Sequence, residues 1–461
     1  MRSLRDSLLA RPERALALLL ALYALVSAWD FGQRPACIDY YQFWVVGRAV
    51  GAREVQDVYS QAERAQLGQL AYQRALADAA TKTPGGAANP AATKRLQAAR
   101  QRQVLETYST PWLYTFFGLF SSADYDASQR DFQLASLLGY VLAIVLLARI
   151  LALPAVATLL WIAALLQWFN PFVDDLISGN VNRLQLLALA VFLFLGARGR
   201  FRGRHALAGA LLGATLAFKP NLAAAAFVLL LGWTIAGERR RALATLLGIA
   251  AGGLAAVLAS AAYFGSLAPW TTWLRQLPVL MSPGSPTAGS ADEGNYSLAR
   301  LLHDSAGVSI GSLLAALLLA AIAVALFLER KRRGATPSAP DPARDLLLLG
   351  SGAALSLLSS ELSWQHYFVA LVPLAMAVLR PSAPARPGLA LAALLGLALV
   401  SLQNVGRLFD FHAPSTAAAV VSGGTLLLLA IALVELASGA VSASSAEAAA
   451  PRAAPPPPRA P

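Results

Sequence analysis

Long apolar segments alternate with short polar ones along most of this 461-residue chain. Segments such as residues 184–197 and 311–328 hold very few polar residues, and runs of this kind are too numerous for the core of one soluble domain. The pattern therefore predicts an all-α polytopic membrane protein. Its twelve predicted spans cover residues 14–30, 131–149, 152–169, 183–197, 205–218, 221–236, 242–264, 306–328, 344–360, 365–380, 387–403 and 417–437.

A long polar segment, residues 31–130, interrupts this pattern after the first span. Residues 59–80 and 91–108 have apolar positions at helical spacing, which predicts two amphipathic helices separated by a Pro- and Gly-rich break. Before them, Phe43, Val46 and Val50 share one helical face, which predicts a helix lying in the membrane interface.

Two further polar segments are set apart by composition. Residues 264–304 are rich in Pro and Gly and are predicted to form a second outer loop, with the properties of a mobile lid. The last segment, residues 438–461, is predicted to be a disordered Ala- and Pro-rich tail after a membrane domain that spans residues 1–437.

The composition and the placement of charge agree with the membrane interpretation. The chain is 57% hydrophobic and 13% charged, whereas soluble domains average about 25% charged residues. The net charge of +12 does not predict a nucleic-acid partner, because the arginines cluster in short loops on alternate sides of the predicted spans. The positive-inside rule then predicts cytoplasmic termini and places residues 31–130 and 264–304 in the periplasm.

Asp39 is the strongest candidate for chemistry in the residues themselves. It follows the first span at the outer interface, beside Tyr40 and Tyr41. A carboxylate there can act as a general base toward a hydroxyl. The alternative is an aspartate that caps the following helix.

Five short motifs follow one another along the membrane region. They are Asp39-Tyr40-Tyr41 with the later Val58-Tyr59, then SGNVNRLQLLALA at residues 178–190, HALAGALLGATLAFKPN at 205–221, NYSLARLL at 295–302 and SWQHYFVALVPL at 363–374. In this order they resemble glycosyltransferase family 87, polyprenol-phosphate-sugar-dependent enzymes that include the mannosyltransferase of phosphatidylinositol mannoside assembly. Two positions depart from the family pattern. Asn180 replaces a usual Gln, and His366 lacks the acid and second His that often flank it.

The resemblance implies a GT-C-type fold and an inverting transfer of a sugar, mannose by resemblance, in the bacterial inner membrane. The donor would be a polyprenyl-phosphate sugar and the acceptor a lipid or glycan, on the periplasmic side among membrane lipids. Asp39 becomes the catalytic base. We expect the donor phosphate to be bound by Lys219, Arg183 and His366, although interfacial anchoring is an alternative for each.

The remaining candidate residues are expected to contact the sugar or the acceptor, with helix capping as the rival role of the asparagines. They are Tyr40, Tyr41, Asn180, Asn182, Asn295, Trp364 and Glu361. No cofactor or metal is predicted, because the acidic pair Asp174 and Asp175 lacks an evident third ligand and reads more simply as a solvated loop.

Two other functions fit a protein with these spans. A transporter or lipid flippase would place its polar residues near the middle of the bilayer. A non-catalytic partner in polysaccharide assembly would keep the spans and tolerate loss of Asp39 and Lys219. An enzyme should instead bring Asp39, Lys219 and His366 around one cavity.

Overall fold

The computed structural model describes residues 11–55, 57–80, 90–280, 282, 289–290, 293–333, 341–380, 386–401 and 414–438. Within these residues the chain is helical, and extended backbone pairs only in an isolated antiparallel bridge between Asn295 and Trp364. The helices are α1 Pro12–Gly32, α2 Ile38–Gly51, α3 Gln61–Ala80, α4 Pro90–Gln101, α5 Pro111–Phe120, α6 Tyr125–Ile150, α7 Ala155–Gln167, α8 Asn170–Ser178, α9 Asn182–Arg198, α10 Arg204–Phe218, α11 Ala223–Ile235, α12 Arg239–Phe264, α13 Ala268–Leu280, α14 Leu298–Ala306, α15 Gly311–Arg333, α16 Pro342–Ser359, α17 Val372–Val378, α18 Pro387–Val400 and α19 Pro414–Ser438, with 3₁₀ turns at Pro220–Leu222 and Gln365–Leu371.

In the described residues, a helix occupies most of each predicted span. Five of these helices, α1, α6, α12, α15 and α19, are long and apolar enough to cross a membrane alone. The pair α7 and α8, bent by 56° at its break, makes a sixth candidate. The all-helical membrane protein is thus confirmed, but the count of twelve spans is not, because several apolar runs form helices too short for a bilayer about 30 Å thick.

Glycines allow α10 and α12 to pack backbone against backbone. A Cβ atom on Gly213 would overlap the carbonyl oxygen of Ile249, and one on Gly252 would overlap that of Ala210. Small residues permit this close approach, and dispersion forces between the tightly packed surfaces stabilise helix pairs in lipid. The packing holds α10 in place, and Lys219 follows directly after its last turn.

Helix α2, which is predicted to lie in the membrane interface, is enclosed by protein on its apolar and polar faces alike. Its residues 40–47 are all buried, including those on the faces opposite the predicted apolar stripe. Gly47 lets α5 approach closely, since a Cβ there would lie 2.6 Å from the backbone nitrogen of Gly118. The hydroxyl of Tyr263 on α12 donates to the Gly47 carbonyl at 2.9 Å. These contacts fix the helix that carries Asp39.

The two predicted amphipathic helices of the first outer loop are present as α3 and α4. The second polar segment contains α13 and α14, so much of its described part is helical. The predicted lid lies partly outside the described residues, at 281, 283–288 and 291–292, and the predicted tail lies outside them from residue 439 onward.

Candidate active site

Asp39 stands in the first turn of α2 but does not cap it. The N-cap position belongs to Cys37, whose side chain makes no capping bond. The Asp39 carboxylate instead accepts hydrogen bonds from Arg102 Nη2 at 3.1 Å and from Asn180 Nδ2 at 2.7 Å. The helix-capping alternative is therefore wrong for this residue, and its carboxylate is directed to groups from other segments.

The neighbours of Asp39 keep it ionised. Burial by itself raises the pKa of the Asp39 carboxyl, but the Arg102 guanidinium, His366, the Asn180 amide and the Lys219 ammonium together outweigh that effect. The pKa of Asp39 consequently lies below its usual value. At neutral pH the side chain is a carboxylate, the form that can accept a proton.

Gly179 is what brings Asn180 to Asp39. Its φ of +70° lies in the left-handed region that favours glycine, and it ends α8 immediately before Asn180. A Cβ on Gly179 would lie 2.8 Å from the Cβ atoms of both Cys37 and Tyr40. Only a glycine therefore lets this turn pack against the start of α2.

The Asn180 amide connects three of the predicted site residues. Its Nδ2 donates to Asp39 and lies 3.2 Å from His366 Nε2. Its Oδ1 accepts from Lys219 Nζ at 3.1 Å and from the Val181 backbone nitrogen at 2.8 Å. Because these two donors fix the oxygen, the orientation of the amide is determined by its surroundings.

His366 is held between Asn180 and Asp174. Its Nδ1 lies 2.9 Å from Asp174 Oδ2, and the Asn180 amide directs an N–H group at Nε2. The consistent tautomer therefore carries its proton on Nδ1 and donates it to Asp174. Asp174 was expected to be part of a solvated or cation-binding pair with Asp175, but it orients the imidazole instead.

Lys219 is half-buried in a site with aromatic and acidic neighbours. Its ammonium lies 3.9 Å from the centroid of the Tyr367 ring, a cation–π contact. Burial lowers the pKa of Lys219 to about 8, although Asp39 and Asp175 act in the opposite direction. Most of the lysine is charged at pH 7, and an incoming anion would find a partly desolvated cation.

Asp39, Lys219, His366 and Asn180 line one cavity of about 1270 Å³. Trp364 and Glu361, both predicted to contact sugar or acceptor, line the same cavity. Oε2 of Glu361 and Nε2 of Gln365 are buried there without a protein hydrogen-bond partner. Buried polar atoms usually have partners, so these two can receive polar groups of a ligand.

Arg183 and Asn182 lie behind the cavity and do not line it. Arg183 is fully buried, with its Nε 2.7 Å from Asp175 Oδ2 and its Nη1 2.9 Å from Gln133 Oε1. Asn182 Nδ2 donates to the other Asp175 oxygen at 2.8 Å. These bonds tie α8 to α9 and support the turn that carries Asn180, so nothing brings Arg183 to a donor phosphate.

Tyr40, Tyr41 and Asn295 are also outside the cavity lining. Both tyrosines are buried among aromatic rings, with Tyr125 close to each. Asn295 is fully buried, where its Nδ2 donates to the Glu361 carbonyl at 2.7 Å and its Oδ1 accepts from the Ser363 backbone nitrogen at 3.0 Å. It therefore positions the segment that bears Glu361 and Trp364.

The sequence analysis missed Arg102 as a cavity residue, and it missed the role of Asp174 beside His366. Arg102 follows α4 and looks like one more solvated cation of an amphipathic helix. Only the folded outer loop brings it to Asp39, which lies 63 residues earlier. A search for single basic residues at helix ends would have included it, together with many others.

One comparison with known proteins gives a match. The model of glycosyltransferase family 87 matches residues 107–360, which is more than half of the chain. No curated protein and no solved structure matches it. The matched segment contains Asn180 and Lys219. Asp39 and His366 lie outside the matched segment, and the side chain of each contacts the Asn180 amide. This chain belongs to glycosyltransferase family 87 and is a membrane glycosyltransferase.

Proposed function

We propose that this protein transfers a sugar, with inversion, from a polyprenyl-phosphate donor to a hydroxyl of a lipid or glycan acceptor. Mannose is the sugar to test first, because it is the one that the sequence resemblance implies. The site would face the periplasm of a bacterial inner membrane, the side that the charge pattern assigns to residues 31–130.

The observation that carries this proposal is the convergence of a carboxylate, an ammonium and an imidazole on one amide. Asp39, Lys219 and His366 come from separate segments, and each lies within 3.2 Å of Asn180. Group transfer from a phosphate-linked sugar needs a base for the acceptor and a cation for the leaving group. This site offers both in one cavity.

In the proposed reaction, Asp39 takes the proton of the acceptor hydroxyl as its oxygen attacks the anomeric carbon. A new C–O bond forms, and the bond between the anomeric carbon and the phosphate oxygen breaks. The electron pair of that bond stays on the phosphate, which leaves as polyprenyl phosphate with one more negative charge. Attack opposite the leaving group inverts the anomeric configuration.

Lys219 would stabilise the charge that develops on the leaving phosphate. Its ammonium is partly desolvated, so its attraction to an anion is stronger than in water. Tyr367 holds it from one side, which fixes its position without neutralising it. His366, oriented by Asp174, would contribute indirectly, because its Nε2 accepts from the Asn180 amide that also binds Lys219.

The segment 361–365 would bind sugar hydroxyls. Glu361 and Gln365 supply an unpartnered acceptor and an unpartnered donor, and Trp364 supplies an aromatic surface on the same cavity wall. Sugars present hydroxyls at their edges and C–H groups on their faces, so this combination suits them.

The convergence also favours an enzyme over a transporter or an assembly partner. A transporter is expected to hold its polar substrate groups near the middle of the bilayer. Here the polar groups follow the ends of apolar helices, as Lys219 does after α10.

A transfer assay with the full-length protein in lipid nanodiscs tests the proposal. Radiolabelled polyprenyl-phosphate sugars would be offered with lipid and glycan acceptors, and the anomeric configuration of the product determined by NMR. Transfer with inversion from one of these donors supports the proposal. Retention of configuration, or activity only with nucleotide sugars, would overturn it.

A further inference from the structure

Arg102 is hydrogen-bonded to Asp39, the base of the proposed reaction. Its Nη2 lies 3.1 Å from Asp39 Oδ1, while Asn180 holds the other carboxylate oxygen. Both oxygens of the proposed base are thus engaged by N–H donors. An acceptor hydroxyl that must hand its proton to Asp39 has to compete with a charge-assisted hydrogen bond.

The guanidinium of Arg102 has donors to spare. Its Nη1 reaches Glu106 Oε2 at 3.3 Å, but the Glu106 side chain is 46% exposed, so that contact is shared with solvent. Its Nε is buried and has no hydrogen-bond partner in the described structure. The Arg102 side chain is only 13% exposed and lines the cavity. A buried, incompletely bonded guanidinium on a cavity wall is a site for an anion.

We infer that Arg102 is a second ligand of the donor phosphate, and that it exchanges Asp39 for that phosphate when the donor binds. This inference rests on the proposed function. The planar fork of a guanidinium binds two phosphate oxygens at once, which one carboxylate oxygen does not match. Donor binding would then release Asp39 Oδ1 at the moment when a base is needed.

The exchange has a consequence for the order of events. Without donor, Asp39 is held by Arg102 and is a poor base toward water or acceptor. With donor, Arg102 would leave Asp39 and join Lys219 on the phosphate, and the freed carboxylate oxygen would be available to the acceptor. Arg102 would therefore couple donor binding to activation of the base.

The pKa of Asp39 depends on the charged and titratable groups around it. The charged and titratable side chains around it, directly or through one partner, are Arg102, Lys219, His366, Tyr367, Asp174 and Glu106. Arg102 is the strongest of the groups that lower the pKa of Asp39. Removing its charge should raise that pKa, so the acidic limb of the rate profile should move to higher pH.

The experiment compares Arg102→Gln and Arg102→Lys with Arg100→Gln in full-length protein. Arg100 lies near the end of α4, two residues before Arg102, is exposed and does not line the cavity, so it controls for loss of one positive charge. Donor KM, kcat and their pH dependence would be measured by sugar transfer. Binding of a short polyprenyl phosphate without sugar would be measured by calorimetry, which needs no turnover.

We expect Arg102→Gln to raise donor KM and weaken polyprenyl-phosphate binding on the order of 10- to 100-fold, the size of one or two charge-assisted bonds. Its acidic limb should move to higher pH, with Arg102→Lys intermediate and Arg100→Gln unchanged. A structural role would instead lower thermal stability and reduce activity equally at every pH.

Two outcomes separate failure of the inference from failure of the proposed function. If the wild-type protein transfers sugar but Arg102→Gln keeps its donor KM and its acidic limb, the exchange is wrong and the transferase remains. If Arg102→Gln does not fold, Arg102→Lys still decides, because a lysine without the fork should bind polyprenyl phosphate more weakly. An unchanged affinity in Arg102→Lys would overturn the inference.

Discussion

Replacing Asn180 with aspartate tests the central amide while nearly keeping its shape. The Asn180 Nδ2 that donates to Asp39 Oδ2 at 2.7 Å becomes a carboxylate oxygen, and the Oδ1 that accepts from Lys219 is kept. Two carboxylates in this contact repel each other, so they are expected to share one proton. The substitution therefore changes the protonation of Asp39 without removing Asp39.

The size of the effect follows from the geometry. Two unit charges about 4 Å apart interact by about 4 kcal/mol at an effective dielectric constant of 20, which corresponds to about a thousandfold change in proton affinity. Lys219 offsets part of this repulsion because it lies beside the new carboxylate. The direction is unambiguous: the pKa of Asp39 rises, and the base becomes protonated at a higher pH.

The assay is the pH dependence of kcat/KM for sugar transfer, measured for wild type, Asn180→Asp and Gln97→Glu. The last variant adds a negative charge at an exposed position of α4 outside the cavity lining. We expect the acidic limb of Asn180→Asp to move toward neutral pH, with activity recovering at alkaline pH. A profile that superimposes on those of wild type and Gln97→Glu at every pH would refute the role of Asn180 beside the base.

Three further predictions concern Lys219, the glycine contact and Arg183. Because the pKa of Lys219 is about 8, donor kcat/KM should fall as pH rises through that value. The Lys219→Arg variant should not show this alkaline fall, since an arginine stays charged. An alkaline fall that persists in Lys219→Arg would contradict the role of Lys219 as the phosphate-binding cation. Gly252→Ala should cost about 1–3 kcal/mol of stability by overpacking, whereas Gly253→Ala, whose Cβ would lie 3.9 Å from the nearest carbonyl oxygen, should cost far less; equal shifts in thermal unfolding would contradict the packing. Arg183→Met should lower stability by about 3–5 kcal/mol because it removes the ion-pair partner of a fully buried Asp175. A raised donor KM at unchanged stability would instead indicate that Arg183 binds the phosphate.

The pattern of apolar runs was sufficient to predict the helices, since helical spans follow from hydrophobic length. It was not sufficient to count the spans. Helices such as α8 and α17 are short and follow a break in the preceding helix. A single apolar run can therefore form two helices, and where it breaks depends on how neighbouring helices cover the exposed ends. The enclosure of α2 was not predictable for a related reason, since α5 and α12 cover faces whose partners the sequence does not identify.

Site residues were predictable where they stand at the end of an apolar helix, because that end places them at the cavity. Lys219 and His366 both stand where an apolar helix ends or begins, and both line the cavity with Asp39. Arg183 has the same kind of position in the sequence but a different role, because Asp175 lies one helix earlier and pairs with it. Pairing between segments cannot be read from spacing alone.

The parts that could not be predicted depend on tertiary contacts. Asn180 is at the centre of the site because Gly179 turns the chain against α2, a contact that no local pattern announces. Arg102 reaches Asp39 through the packing of the outer-loop helices. Neither contact can be derived from spacing along the chain.

The most direct test of the account measures turnover and donor affinity together in Asp39→Asn, with Asp78→Asn as an exposed acidic control on α3. If Asp39 is the base, its amide variant should bind the polyprenyl-phosphate sugar within a few-fold of wild type and lose transfer by about 10²- to 10⁴-fold. Asp78→Asn should behave as wild type in both measurements. Transfer by Asp39→Asn at the wild-type rate would contradict the account.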